Sequence, residues 1–146
     1  MKIPEPDFTF DSITEITPSW LKEHNISGVL MDVDGTLLPK KAAIVPEKVA
    51  KWLRTMGVNA FLGIVSNATM ERIESVLDSV GNRYRMSRLE REHKPSGLGI
   101  KFLMKEMGLN PELTIYVGDK KKDIIAAHCA GIKSVKVKTM KKGETT

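Results

Sequence analysis

Two aspartates one residue apart, Asp32 and Asp34, close the apolar run Ile26-Ser27-Gly28-Val29-Leu30-Met31, and Gly35, Thr36 and Leu37 follow at once. A short apolar run of this kind predicts a buried strand, here from about Ser27 to Val33. Carboxylates at the end of such a strand are costly unless a cation or a reaction uses them. In an open α/β sheet the carboxyl ends of the strands are where ligands bind. Residues i and i+2 of a strand point to one side, a rule that weakens as the chain turns.

The rest of the chain repeats this punctuation. Ala60–Val65 predicts a second strand that finishes at Ser66-Asn67. Leu113–Val117 predicts another, ending at Gly118-Asp119 with Asp123 four residues beyond. Tyr84-Arg85-Met86 reads as a short edge strand, and the alternation of Ser134–Val137 places a last strand at the other edge. Helical stripes lie between them. Val49, Trp52, Leu53 and Met56 follow Pro46, with Gly57 as the expected end. Ile73, Val76, Leu77 and Val80 follow Thr69 and precede Gly81, and Ile100, Leu103, Met104 and Met107 precede Gly108. A short helix is expected over about 122–130. Strand-helix alternation predicts an α/β, Rossmann-like domain: a mostly parallel central sheet of about five strands, flanked by helices. Leu38–Ile44 is too short for a domain and reads as a turn or small flap beside the acids.

The 146 residues suit one domain with a real core. Residues 1–25 read as an arm and a short helix, begun by Thr17-Pro18, packed on a domain at 26–140; residues 141–146 read as a basic, frayed tail. No apolar run nears the roughly 20 residues of a membrane span, and Met1–Asp7 lacks the pattern of a signal peptide. A single cysteine, Cys129, fits a reducing compartment, so the cytoplasm is expected, with peripheral contact to the inner face of the membrane as an extension. The formal charge is +5, yet the first 31 residues hold five acids and two lysines, so the remainder carries +8. Such an excess can attract phosphate metabolites, anionic lipid or nucleic acid. No RNA-recognition motif or aromatic stacking array accompanies it, so nucleic acid is not the expected partner. A basic RNA- or protein-binding module is the alternative of a different class.

The strand ends together offer Asp32, Asp34, Ser66, Asn67, Asp119 and Asp123, with Lys94 after the weak edge element. Oxygen donors of this kind suit magnesium, which commonly joins carboxylates to a phosphate. Asp32 and Asp119 can give carboxylates, and Asp34 a backbone carbonyl that leaves its side chain free. His24, His93 and His128 are scattered and lack zinc-ligand spacing. In a phosphoryl transfer one carboxylate of the pair can attack phosphorus while the other moves protons. Chemistry alone does not say which attacks. Arg85, Arg88, Arg91, Lys120 and Lys121 are candidates for an anion-attracting rim.

With these motifs in order, the sequence resembles the haloacid dehalogenase superfamily of aspartate-nucleophile phosphatases across almost the whole domain. Asp32-Val33-Asp34-Gly35-Thr36-Leu37 looks like its first motif, Ser66 like its second, Lys94 like its conserved lysine, and Gly118-Asp119 with Asp123 like its acidic fourth motif. The resemblance implies Asp32 as nucleophile, Asp34 as general acid/base, Ser66, Asn67 and Lys94 at phosphate, and Asp119 as a magnesium ligand beside Asp32 and Asp34. Asp123 would meet the metal through water or orient Lys94. About 30 positions separate Asp34 from Ser66, too few for an inserted cap, and Lys94 to Asp119 is also too short for one. The chain therefore resembles the cap-less subclass IIIA, within it the bacterial phosphatidylglycerophosphate-phosphatase-like group. Ile16-Thr17-Pro18, Leu21-Lys22, Lys94-Pro95 and Met107-Gly108-Leu109 carry that likeness, whereas Gly35 and the Lys120-Lys121-Lys122 loop depart from it. An open site of this subclass admits a large or surface-bound substrate, or is covered by a neighbouring subunit in a homo-oligomer.

Overall fold

The computed structural model describes residues 3–81, 85–86 and 94–143, with the backbone alone at Arg85 and Met86. Six strands form one sheet: β1 (Phe8–Phe10), β2 (Gly28–Met31), β3 (Phe61–Ile64), β4 (Arg85–Met86), β5 (Thr114–Gly118) and β6 (Lys133–Val137). Five α-helices accompany them: α1 (Pro18–Glu23), α2 (Glu47–Asn59), α3 (Met70–Asp78), α4 (Leu98–Met107) and α5 (Lys121–Cys129). The strand order is β1-β6-β5-β2-β3-β4, and all neighbours pair in parallel. The expected α/β architecture with a central parallel sheet and no large inserted cap is what the chain adopts.

Parallel strands covered on both faces must be apolar on both. Val29 and Met31 of β2, with Ile115 and Val117 of β5, join the α2–α3 side of the core. Leu30 and Tyr116 point the other way, towards Ile100, Leu103, Ala126 and Ala127. The Val49, Trp52, Leu53 and Met56 stripe is buried as expected, but α2 runs on through Gly57 to Asn59. A glycine costs a helix only about 1 kcal/mol, which the packing of that stripe outweighs.

The last strand is not an edge. The arm supplies β1, which covers β6 through pairs such as Phe8 with Val135. Asp7 accepts from the Ser134 N–H at 2.8 Å, and the Asp7 N–H donates back to Ser134. Trp20 packs edge-on to Phe8 and Phe10 and stacks on His24, while Trp52 donates to the Ile16 carbonyl at 2.7 Å. These contacts fasten the arm to the core.

Topology positions the site. From β2 the chain proceeds outward to β3 and β4, then returns to place β5 on the opposite side of β2. That reversal makes the carboxyl ends of β2 and β5 the topological switch point, where α/β sheets bind ligands. Among the described residues no helix is long and apolar enough to cross a membrane.

Candidate active site

Asp32 directly follows β2, and Asp119 directly follows β5. Asp123 stands in the first turn of α5, and Lys94 follows the segment after β4. The structure brings all four together, and each is nearly removed from water. Carboxylate oxygens of Asp32, Asp119 and Asp123 lie within 4.8 Å of one another. Lys94 Nζ is 2.9 Å from Asp32 Oδ1, 2.6 Å from Asp123 Oδ1 and 2.7 Å from the Tyr116 hydroxyl. An ammonium has three donors, and these partners use them all. A phosphate would reach Lys94 by exchanging one.

Two glycines let the acids approach. Gly35 has φ +84°, and a Cβ there would stand 2.3 Å from Asp119 Oδ2. A Cβ on Gly118 would stand 2.3 Å from the Asp123 side chain. Asp119 is held from two sides: Thr139 donates to Oδ2 at 2.8 Å, and Thr36 approaches Oδ1 at 3.4 Å. The Lys120 N–H donates to Asp123 Oδ2 at 3.0 Å, fixing that carboxylate at the helix start.

Three buried carboxylates face the buried Lys94 ammonium, with the exposed Lys120 ammonium 4.0 Å from Asp119, so the cluster keeps a net negative charge. Burial raises the Asp32 carboxyl from 3.8 to about 6 despite the opposing pull of Lys94. Burial, and then the field of the three acids, pushes the Tyr116 phenol well above its ordinary value and keeps it neutral. An all-oxygen donor set with residual negative charge fits a hard divalent cation such as magnesium.

The remaining expected residues lie around this centre. Ser66 is half-buried and accepts from the Ala68 N–H at 3.1 Å. Asn67, expected at phosphate, instead brackets the Lys94 backbone: Oδ1 accepts from its N–H at 2.7 Å and Nδ2 donates to its carbonyl at 3.1 Å. It seats Lys94. The Asp34 side chain is turned to Arg72 rather than into the three-acid cluster. Lys120 and Lys121 are exposed, with the Lys120 ammonium 4.0 Å from Asp119. Arg88, Arg91 and His93 lie outside the described residues, as does the Arg85 side chain.

Sequence reasoning overlooked Arg72, Tyr116 and Thr139. A cation in the first turn of a helix opposes the helix dipole, a signal that could have marked Arg72. A lone hydroxyl in the buried run Ile115-Tyr116-Val117 needs a partner, which marks Tyr116. Nothing in the sequence marks Thr139, whose partner is 20 residues away.

The sheet order and the acid cluster define an α/β site with an all-oxygen donor set at the carboxyl ends of its central strands. The family model described as "Haloacid dehalogenase-like hydrolase" matches residues 47–137, and the chain belongs to that family. The match contains Ser66, Lys94, Asp119 and Asp123, whereas Asp32 and Asp34 precede it. The chain is 27% identical over 116 residues to "Probable phosphatase YqeG" of Bacillus subtilis, covering 79% of this chain and 65% of that protein. It is 30% identical over 88 residues to phosphoglycolate phosphatase 1 of Pseudomonas aeruginosa, covering 57% of this chain and 32% of that one. The chain thus spans under two thirds of the length of these relatives. The fold also matches the crystal structure of an uncharacterized protein from Listeria monocytogenes serotype 4b. There the TM-score is 0.62 at 19% identity, covering 83% of this chain and 85% of that one.

Proposed function

We propose that this chain is a magnesium-dependent phosphomonoester hydrolase that works through a phosphoaspartyl intermediate on Asp32. The observation that carries the reading is the buried triad of Asp32, Asp119 and Asp123, two of whose acids pair with the buried Lys94 ammonium. Membership of the hydrolase family and likeness to proteins named as phosphatases support it.

In this reading an Asp32 oxygen attacks phosphorus and the bond to the leaving alcohol breaks. Asp34 gives the departing alcohol oxygen a proton, then takes one from the water that hydrolyses the acyl phosphate. Asp32 and Asp119, with the Asp34 carbonyl, would hold magnesium. Asp123 keeps Lys94 in place. An ion held by these residues would supply positive charge to offset what builds on the phosphoryl oxygens. Lys94 and the Ser66 hydroxyl add donors to the same oxygens.

Between Asp34 and Ser66 the chain forms only a flap, α2 and β3, which supports assignment to the cap-less subclass. Such a site admits a bulky phosphomonoester, with phosphatidylglycerophosphate the first candidate and the lysines near Asp119 facing its anionic surroundings. Sugar phosphates, phosphoglycolate and nucleotides are the alternatives. The test is a phosphatase panel of these compounds with magnesium, with Asp32→Asn as control. Hydrolysis of at least one ester, dependent on magnesium and lost in the variant, is expected. Equal turnover by Asp32→Asn would sink the assigned nucleophile.

A further inference from the structure

The Asp34 carboxylate is tied to a residue that the reaction scheme above does not use. Arg72, in the first turn of α3, donates from Nη2 to Asp34 Oδ1 at 2.7 Å and from Nη1 to the Ala42 carbonyl. Both side chains are mostly buried, at 23% and 28% exposure. One guanidinium therefore joins the acidic loop, the flap and the helix after Ser66. The acidic loop is also closed internally, since Gly35 N–H donates to the Leu38 carbonyl at 2.8 Å. Further along the flap, Ala43 and Ile44 are exposed, so the Ala42 tie holds its outer part.

We propose that Arg72 is a positioning residue for proton transfer by Asp34, pinning both that carboxylate and the flap to α3. The inference rests on the reading of Asp34 as general acid/base. A guanidinium is planar and offers two donors in fixed directions, so it can hold two acceptors at once. A lysine cannot hold both in that geometry. With Oδ1 engaged, Asp34 Oδ2, which has no hydrogen-bond partner among the described residues, is the oxygen left to carry the proton. When the bond from phosphorus to the alcohol oxygen breaks, that proton passes to the alcohol oxygen. In the second half-reaction Asp34 regains a proton from water as the water oxygen attacks phosphorus and Asp32 is released.

Misplacing a proton donor hurts poor leaving groups most, because good ones depart without protonation. The experiment therefore measures kcat/KM for 4-nitrophenyl, phenyl and 4-methoxyphenyl phosphate with magnesium. Wild type, Arg72→Met, Arg72→Lys and Asp34→Asn are compared. For Arg72→Met the expected loss is about tenfold or more on the two poorer leaving groups and clearly smaller on 4-nitrophenyl phosphate, following the pattern of Asp34→Asn. Arg72→Lys should fall between, and it carries the test if the methionine variant does not fold. Trypsin should also cut the flap after Lys40 or Lys41 faster in Arg72→Met. Equal losses on all three esters, or none, overturn the inference while leaving the phosphatase reading intact. A wild-type protein inert on these aryl esters and on every compound of the phosphatase panel overturns both.

Discussion

The Lys94 ammonium stands 2.9 Å from Asp32, and the two side chains are only 2% and 7% exposed. The same nitrogen serves Asp123, so it is the only cation that touches two of the buried acids among the described residues. Removing one partner of a buried ion pair leaves charge without compensation, a loss of about 3–5 kcal/mol. Lys94→Met is therefore expected to lose stability on that scale in urea unfolding, and magnesium should recover part of it. A variant as stable as wild type would show that these acids do not depend on Lys94.

Burial holds the Asp32 carboxyl at about 6, above the 3.8 of an exposed aspartate. Between those values the folded protein keeps a proton that the unfolded chain has released. Raising pH through that window therefore lowers the stability of the metal-free protein. A cation must displace the same proton, so magnesium should raise the melting temperature more at pH 7 than at pH 5. Equal shifts at the two values would contradict this picture of Asp32.

Thr139 lies beyond the last strand, yet it donates to Asp119 at 2.8 Å. Groups that orient a metal ligand commonly affect affinity by about 10–100-fold. Thr139→Val is expected to weaken magnesium binding by roughly tenfold in calorimetric titration. Thr139→Ser, which keeps the hydroxyl, should restore it. Unchanged affinity in the valine variant would show that Thr36 alone suffices.

At Gly35 the backbone has φ +84°, and a Cβ would press on Asp119 Oδ2 at 2.3 Å. Strain of that backbone conformation costs about 1–3 kcal/mol in a residue with a side chain. Gly35→Ala should therefore lose stability and, by displacing Asp119, magnesium affinity as well. Thermal melts with and without magnesium read both effects. An alanine variant with native melting and native metal response would mean that the loop yields cheaply.

Legibility in the sequence followed locality. The apolar runs and their polar ends gave the strands, because burial on both faces admits little else. The same ends picked out Asp32, Asp119 and Asp123, which the fold brings within 4.8 Å of one another. Long-range pairings were harder. Nothing in Phe8-Thr9-Phe10 states that it will cover β6, so that strand read as an edge. Gly57 looked like a helix end because its intrinsic cost was visible and the packing that outweighs it was not. The bonds from the Asn67 amide to the Lys94 backbone were not legible either, because the two residues are 27 positions apart. Arg72 and Thr139 meet their acids only through tertiary contacts, 38 and 20 positions apart in the chain.

The central claim is that phosphate passes through Asp32. The direct test is to mix the protein with magnesium and a phosphomonoester that it turns over, quench in acid within a turnover, and map phosphorylation by mass spectrometry. The account predicts a phosphoryl group on the peptide containing Asp32, and none in Asp32→Asn. Turnover in wild type with phosphate on another residue, or continued turnover in Asp32→Asn, would contradict it.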